Sequence, residues 1–291
     1  MKGLFVSSNL RKTLTLCIFL IISIDISIEI GSVISAIFFL VLYLSKYFHN
    51  LDLNGHLGIS RSLVPILLIF FIFLLIAAQP DLGTALIILI LGCSMIFFIG
   101  IKIIYPALLS IFLILSSPLI WNLLKPYQQN RVLTFLNPDL DPLGKGYHII
   151  QSKIAIGSGG MRGNGFLGGS QSSLNFIPEK ETDFVFSIFA EQFGFVGSLF
   201  LLSLFFIIII VPIVKSFKIM NTYIKLVILG LSFKILIEVF INISMTLGVL
   251  PVVGVALPLM SYGGSSLLSN MVILGLIINF MSADKKVKYF R

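Results

Sequence analysis

Asp183 closes a long polar stretch and opens an apolar one, within Glu181-Thr182-Asp183-Phe184-Val185-Phe186. A carboxylate at such a boundary has two chemical uses. It can complement the positive end of a helix dipole and cap the first turn. Half-desolvated, it can instead take a proton as a general base. The stretch before it carries Arg131, Lys153 and Arg162. Such cations can stabilise charge on a departing anion, or anchor the chain at an interface and pair with Asp139 and Asp141. Glycines stand at 157, 159, 160, 163, 165, 168 and 169. They permit positive φ and close backbone approach, as in loops that cradle phosphate, and they equally suit a loop folded down onto its neighbours.

Other polar groups stand inside apolar surroundings. Lys234 and Glu238 are four residues apart, on one side of a helix, which reads as a structural ion pair. Gln79-Pro80-Asp81 reads as a tight turn between two helices. Pro251, Pro258 and Ser261-Tyr262-Gly263-Gly264-Ser265 form a broken approach to the last apolar run. Irregular backbone near a membrane is tolerated where it lines a cavity or is buried in protein, which makes Ser261 a candidate at the rim of a binding groove. His148 is expected to hydrogen-bond within its loop, and no His/Asp/Glu cluster has metal-ligand spacing. Cys17 and Cys93 lie in apolar runs and suggest neither disulfide nor metal.

The elements that must hold these groups follow from composition. Of 291 residues, 57% are hydrophobic and 11% charged, and mean hydropathy is +1.08. An average soluble domain has roughly 25% charged residues, so too little polar surface remains to cover a soluble fold. That excludes a soluble enzyme, a disordered chain and a small disulfide scaffold. The net charge of +8 fits the Lys and Arg excess of cytoplasmic loops better than a nucleic-acid partner. Runs near the roughly 20 apolar residues that cross a bilayer occur at 30–45, 63–79, 84–101, 103–124, 195–214, 223–248 and 264–282. A shorter run at 13–26 holds Asp25 and reads as a short uncleaved helix.

The expected fold is therefore an all-α integral membrane protein. It is a polytopic helical bundle of seven to eight transmembrane helices in one domain over 1–291, with a divergent start at 1–28. One large extracytoplasmic loop covers 125–183, within which Tyr147 to Ile156 has an apolar helical face. Lys46, Arg61, Lys215, Lys218, Lys225, Lys285, Lys286 and Lys288 fall on one side of this arrangement. That side is expected to be cytoplasmic, with Asp183 outside.

Four segments carry a family resemblance: QPDLGTA at 79–85, NPDLDPLGKGYHIIQSKIAIGSGG at 137–160, FIPEKETDFVFSIFAEQFGFVG at 176–197 and GVLPVVGVALPLMSYGGSS at 248–266. In this order they resemble the SEDS family of cell-wall polymerases (shape, elongation, division and sporulation), in the spelling of its elongation branch. The similarity runs from about Glu29 to Phe280. It implies a peptidoglycan glycosyltransferase of the bacterial cytoplasmic (inner) membrane, polymerising lipid II during elongation and maintenance of rod shape. Lipid II carries its sugars on undecaprenyl pyrophosphate. A class B penicillin-binding protein and an elongation complex are the implied partners.

Asp183 matches the essential acid of the family's Thr-Asp-Phe motif, and the resemblance implies a general base there. Arg131, Lys153 and Arg162 are the candidate pyrophosphate-binding cations, and Ser261 borders the candidate lipid-substrate groove. Glu29 stands where the family has the acid of a Pro-Ser-Glu motif. Here Ser27-Ile28-Glu29-Ile30-Gly31-Ser32 lacks the proline and has Ser32 in place of the family's lysine. A divalent cation such as Mg2+ on the pyrophosphate is the one cofactor left open. Full members have further spans and a tryptophan-bearing outer loop before the position of Glu29, where this chain has 28 residues, and its single tryptophan is Trp121. A shortened, misassigned or decaying start is thus one expectation. The alternative functions are a flippase for the lipid-linked precursor and a non-catalytic scaffold.

Overall fold

A computed structural model describes residues 29–51, 59–78, 81–100, 115–116, 121–122, 126–141, 144–166, 168–169 and 181–289. The short helix expected at 13–26 and nearly all of the span expected at 103–124 lie outside these residues. Eight α-helices occupy the described chain: α1 Glu29–His49, α2 Ile59–Ala78, α3 Leu82–Phe98, α4 Pro126–Leu136, α5 Lys145–Gly159, α6 Val185–Ser216, α7 Thr222–Thr246 and α8 Gly264–Tyr289. A 3-10 turn, Pro138–Leu140, joins α4 to α5.

Six helices coincide with expected spans. By length and composition α6, α7 and Gly264–Ser282 of α8 suffice to cross a membrane, while the apolar portions Ala36–His49, Ser62–Ala77 and Gly83–Phe98 of α1–α3 are shorter. Helix is the form such segments must take, because the hydrocarbon offers no partner for an open N–H or C=O. The outer faces stay apolar. Leu67, Phe70 and Phe71 on α2, Phe200 and Phe206 on α6, and Leu268 and Val272 on α8 are all exposed, a surface that belongs in lipid.

The core forms around α7. Leu226, Val227, Ile228, Leu229, Gly230 and Leu231 are buried in succession, so every face of this helix meets another element. A Cβ on Gly230 would come within 2.6 Å of Met95 Sδ and 2.8 Å of Val41 Cγ1. The absent side chain is what lets α1 and α3 close on α7. Against this seam lie Leu44, Phe48, Ile88, Leu91 and Met95, each fully buried.

Helix directions follow from a few contacts. His49 at the end of α1 and Phe280 late in α8 both meet the ring of Tyr223 at the start of α7. Gly83 at the start of α3 packs on Val253, just beyond the end of α7. The starts of α1, α3, α6 and α8 therefore share one end of the bundle with the end of α7. The opposite end gathers the basic residues Lys46, Lys215, Lys218 and Lys225 and the Lys285–Lys288 portion of α8.

The polar stretch 125–183 is not one irregular loop. The amphipathic segment expected at 147–156 is α5, extended a little at both ends. The sequence reading did not anticipate α4, whose polar PYQQNR start lacks an apolar period. Pro126 at its first position is pre-set for a helix and has no N–H to orphan. Asp81 caps α3, its carboxylate accepting from Thr84 N at 3.1 Å and from the Thr84 hydroxyl, as the structural reading of that turn requires.

Candidate active site

Asp183 lies in the turn 181–184 that leads into α6 and is half-buried. The cap position of α6 is Phe184, without a side-chain cap bond, so Asp183 is not the N-cap. Its backbone is held at three consecutive carbonyls. Tyr262 N donates to Glu181 O at 2.7 Å, Ser261 Oγ to Thr182 O at 2.6 Å, and Asn242 Nδ2 to Asp183 O at 3.0 Å. The same Asn242 amide also donates to Val255 O at 2.7 Å. Asn242 itself is fully buried. These bonds come from the end of α7 and the irregular segment 247–263.

That segment is built to approach the acid. Gly254 has φ 76°, and a Cβ there would stand 3.5 Å from Asp183 Oδ2. Leu259 is the one non-glycine residue with positive φ (65°) among the described residues. A left-handed leucine costs about 1–2 kcal/mol, tolerated because Ser261 pins the turn. Leu257 N donates to Ser261 Oγ at 2.7 Å, and Ser261 N to Leu257 O at 3.0 Å.

Helix α5 roofs this end of the bundle. Ser152 is buried, donates to Thr246 O at 2.7 Å and shares a 2.6 Å hydrogen bond with the Ser187 hydroxyl. It thereby ties α5 to the first turn of α6 and the last of α7. The next residue, Lys153, is exposed and extends over Gly248, where a Cβ would lie 2.6 Å from Nζ. One cation thus stands at the end of the bundle that holds Asp183. His148 stacks on Phe184, with centroids 5.8 Å apart and planes 13° from parallel. Its Nδ1 has no hydrogen-bond partner among the described residues, so the expected intraloop bond is not made through that atom.

The remaining candidates lie further out. Arg131 is half-buried on α4, which packs on α5. Arg162 is exposed, in the glycine segment that docks on α6 at Gly194. At about 1.5 Å of rise per residue, that level is roughly 16 Å along α6 from Asp183, so the two backbones are not brought together. Glu29 is the first residue of α1, at the same bundle end as Asp183. Ser261 turns its hydroxyl to Thr182 and Leu257 rather than outward, and only 8% of the residue is exposed.

The glycine segment has a clear task. At Gly194 the φ/ψ of 67°/−164° interrupts α6, releasing backbone groups that a continuous helix would pair. The loop takes them up. Phe195 N and Val196 N donate to Gly160 O and Met161 O, while Asn164 N and Gly165 N donate to Glu191 O and Gln192 O. A Cβ on Gly159 would fall on Ala190 O, and one on Gly163 on Gln192 O. The amide of Gly165, one of the glycines expected in a phosphate cradle, is therefore occupied by an α6 carbonyl, as is that of Asn164.

Asn242 and Ser152 escaped the sequence reading. A single amide within a mostly apolar run was the available signal for Asn242; Ser152 lies in an amphipathic stretch where a serine carries no pattern of its own. Among the described residues, no three His, Cys, Asp or Glu groups stand together as a metal site.

Comparison with known proteins adds the family. A family model described as "Cell cycle protein", named for FtsW, RodA and SpoVE, matches residues 36–286. The peptidoglycan glycosyltransferase MrdB of Escherichia coli (strain K12) is 44% identical over 229 residues, covering 78% of this chain and 62% of the relative. A structure on the coordination of polymerization and crosslinking by a peptidoglycan synthase complex superposes with TM-score 0.72 at 33% identity, covering 87% of this chain and 70% of that one. The crystal structure of the rod shape determining protein RodA of Thermus thermophilus gives TM-score 0.59 at 25% identity, over 86% and 65% of the two chains. The chain spans about three-fifths of the length of the curated relative from E. coli. An all-helical membrane bundle, matched by this model over most of its length and sharing long motifs with such relatives, belongs to the FtsW/RodA/SpoVE family of cell cycle proteins.

Proposed function

We propose that this chain is a peptidoglycan glycosyltransferase that polymerises lipid II into glycan strands, with Asp183 as general base. The observation that carries this is a half-buried carboxylate on a backbone gripped at three successive carbonyls. It stands at the bundle end remote from the basic helix ends. The carboxylate takes the proton from the 4-hydroxyl of a lipid II glucosamine as that oxygen bonds to the anomeric carbon of the growing strand. The bond from that carbon to undecaprenyl pyrophosphate breaks, and its electron pair leaves with the pyrophosphate. Lys153 is the cation best situated to meet the developing charge, with Arg131 on α4 and Arg162 on the glycine segment further along the same polar region. Glu29, the first residue of α1, is a further candidate at that end of the bundle. A divalent cation such as Mg2+, where bound, would add positive charge beside the leaving pyrophosphate, and no step of this scheme depends on it.

The basic end faces the cytoplasm by the excess of Lys and Arg there. Chemistry then takes place at the extracytoplasmic face of the inner membrane. A class B penicillin-binding protein in an elongation complex is the proposed partner, supported by the structural likeness to a peptidoglycan synthase complex. The test is glycan formation from lipid II by purified protein in proteoliposomes. Wild type is expected to give polymer, and Asp183→Asn none, at unchanged thermal stability. Polymerisation by the variant would refute the assignment of Asp183. Transfer of lipid II across the bilayer without glycan would refute polymerisation itself.

A further inference from the structure

We propose that Asn242 and Ser261 are positioning residues that set the place of the Asp183 carboxylate; the proposal rests on the assignment of Asp183 as the base. Neither side chain is offered to substrate. The Asn242 amide has two N–H groups, and both are used, one on Asp183 O and one on Val255 O. One residue thereby fixes the separation between the acid's own backbone and the segment that carries Gly254 in front of it. The Ser261 hydroxyl performs the neighbouring operation, donating to Thr182 O while accepting from Leu257 N. Tyr262 N completes the grip on Glu181 O.

Asp183 is only half-buried, so packing alone does not define where its carboxylate stands. Hydrogen bonds to successive backbone carbonyls do so. The left-handed Leu259 belongs to the same device, because its turn is what brings Ser261 and Tyr262 back to the 181–183 segment. A displacement on the order of 1 Å at a reacting group can lower a rate about a hundredfold, so loss of these donors acts on the chemical step rather than on capture of lipid II.

The experiment uses the full chain in proteoliposomes with lipid II. Asn242→Leu keeps approximate volume and removes both donors; Ser261→Ala removes one hydroxyl, and Ser261→Thr restores it. The expected result is a roughly ten- to hundredfold fall in kcat for Asn242→Leu at unchanged KM. A smaller fall is expected for Ser261→Ala, with recovery in Ser261→Thr. Hydrogen exchange should rise in the 255–263 segment, where Tyr262 N reports its bond to Glu181 O. If exchange rises there but kcat holds, or if KM alone changes, the positioning role is overturned even though Asp183→Asn is inactive. If Asp183→Asn itself polymerises, the assignment of the base fails first and this proposal with it. Ser261→Ala keeps the test decisive should Asn242→Leu fail to fold.

Discussion

Lys234 is 2% exposed inside α7. Its ammonium donates to Glu238 Oε2 at 2.7 Å and to Asn270 Oδ1 on α8 at 2.8 Å. Asn270 passes the chain on, its own amide donating to Ser266 O at 3.0 Å. A buried ion pair gains little over an apolar pair of equal volume, since desolvation offsets attraction, but removing one partner strands the other charge. Lys234→Leu leaves the Glu238 carboxylate without its partner and Asn270 Oδ1 without a donor. The expected loss is about 3–5 kcal/mol for the charge, with about 1–3 kcal/mol more for an unmet buried acceptor. Lys234→Leu with Glu238→Leu removes the charge problem and leaves the acceptor, for a loss of about 1–3 kcal/mol. Adding Asn270→Leu is expected to bring stability back near that of the wild type. Thermal unfolding of the four proteins in one detergent gives the order directly: single variant least stable, then double, then triple. Equal stability of single and double variants would refute the stranded-charge reasoning, and a triple variant worse than the double would show that the polar link itself stabilises the α7–α8 pair.

Gly163 and Gly157 make a matched pair. Gly163→Ala drives a Cβ onto Gln192 O at a φ of 78° and is expected to cost several kcal/mol and loosen the loop, read as faster limited proteolysis near 160–169. Gly157→Ala meets no neighbouring atom and sits in α5, so stability should rise by up to about 1 kcal/mol. Ser152→Ala removes bonds to Thr246 and Ser187 and should cost about 1–3 kcal/mol through the acceptors it leaves unmet. Lys153→Gln should lower kcat/KM for lipid II about tenfold or more with little change in stability, whereas Lys153→Arg should retain most activity; steady-state polymerisation rates decide this.

Much of the architecture was legible along the chain because a bilayer imposes a coarse rule. Residues 223–248 read as a span from composition alone and form α7, and 264–282 likewise lies in α8. The break in α6 was less legible. The apolar run begins at 195, yet the helix starts at Val185, because a glycine loop supplies partners for the backbone groups that Gly194 releases. Composition cannot register such an arrangement, in which the stabilising partners come from 27 to 35 residues away in the chain. The glycines at 159–165 suggested an anion cradle for the same reason: positive φ and a missing Cβ serve a phosphate and a helix backbone equally.

The chain by itself determined its solvent, its helical class, the acid at 183 and the family motifs around it. Each of these depends on residue type and local order, which the bilayer and the start of a helix read directly. Only the tertiary structure decided that Ser261 turns its hydroxyl to backbone rather than outward, that Arg162 stands well along α6 from the acid, and that Asn242 holds the backbone of Asp183. Those outcomes depend on which N–H meets which carbonyl across α6, α7 and the 247–263 segment. Buried polar groups must find partners wherever the packed helices bring them, and sequence spacing does not state where that will be.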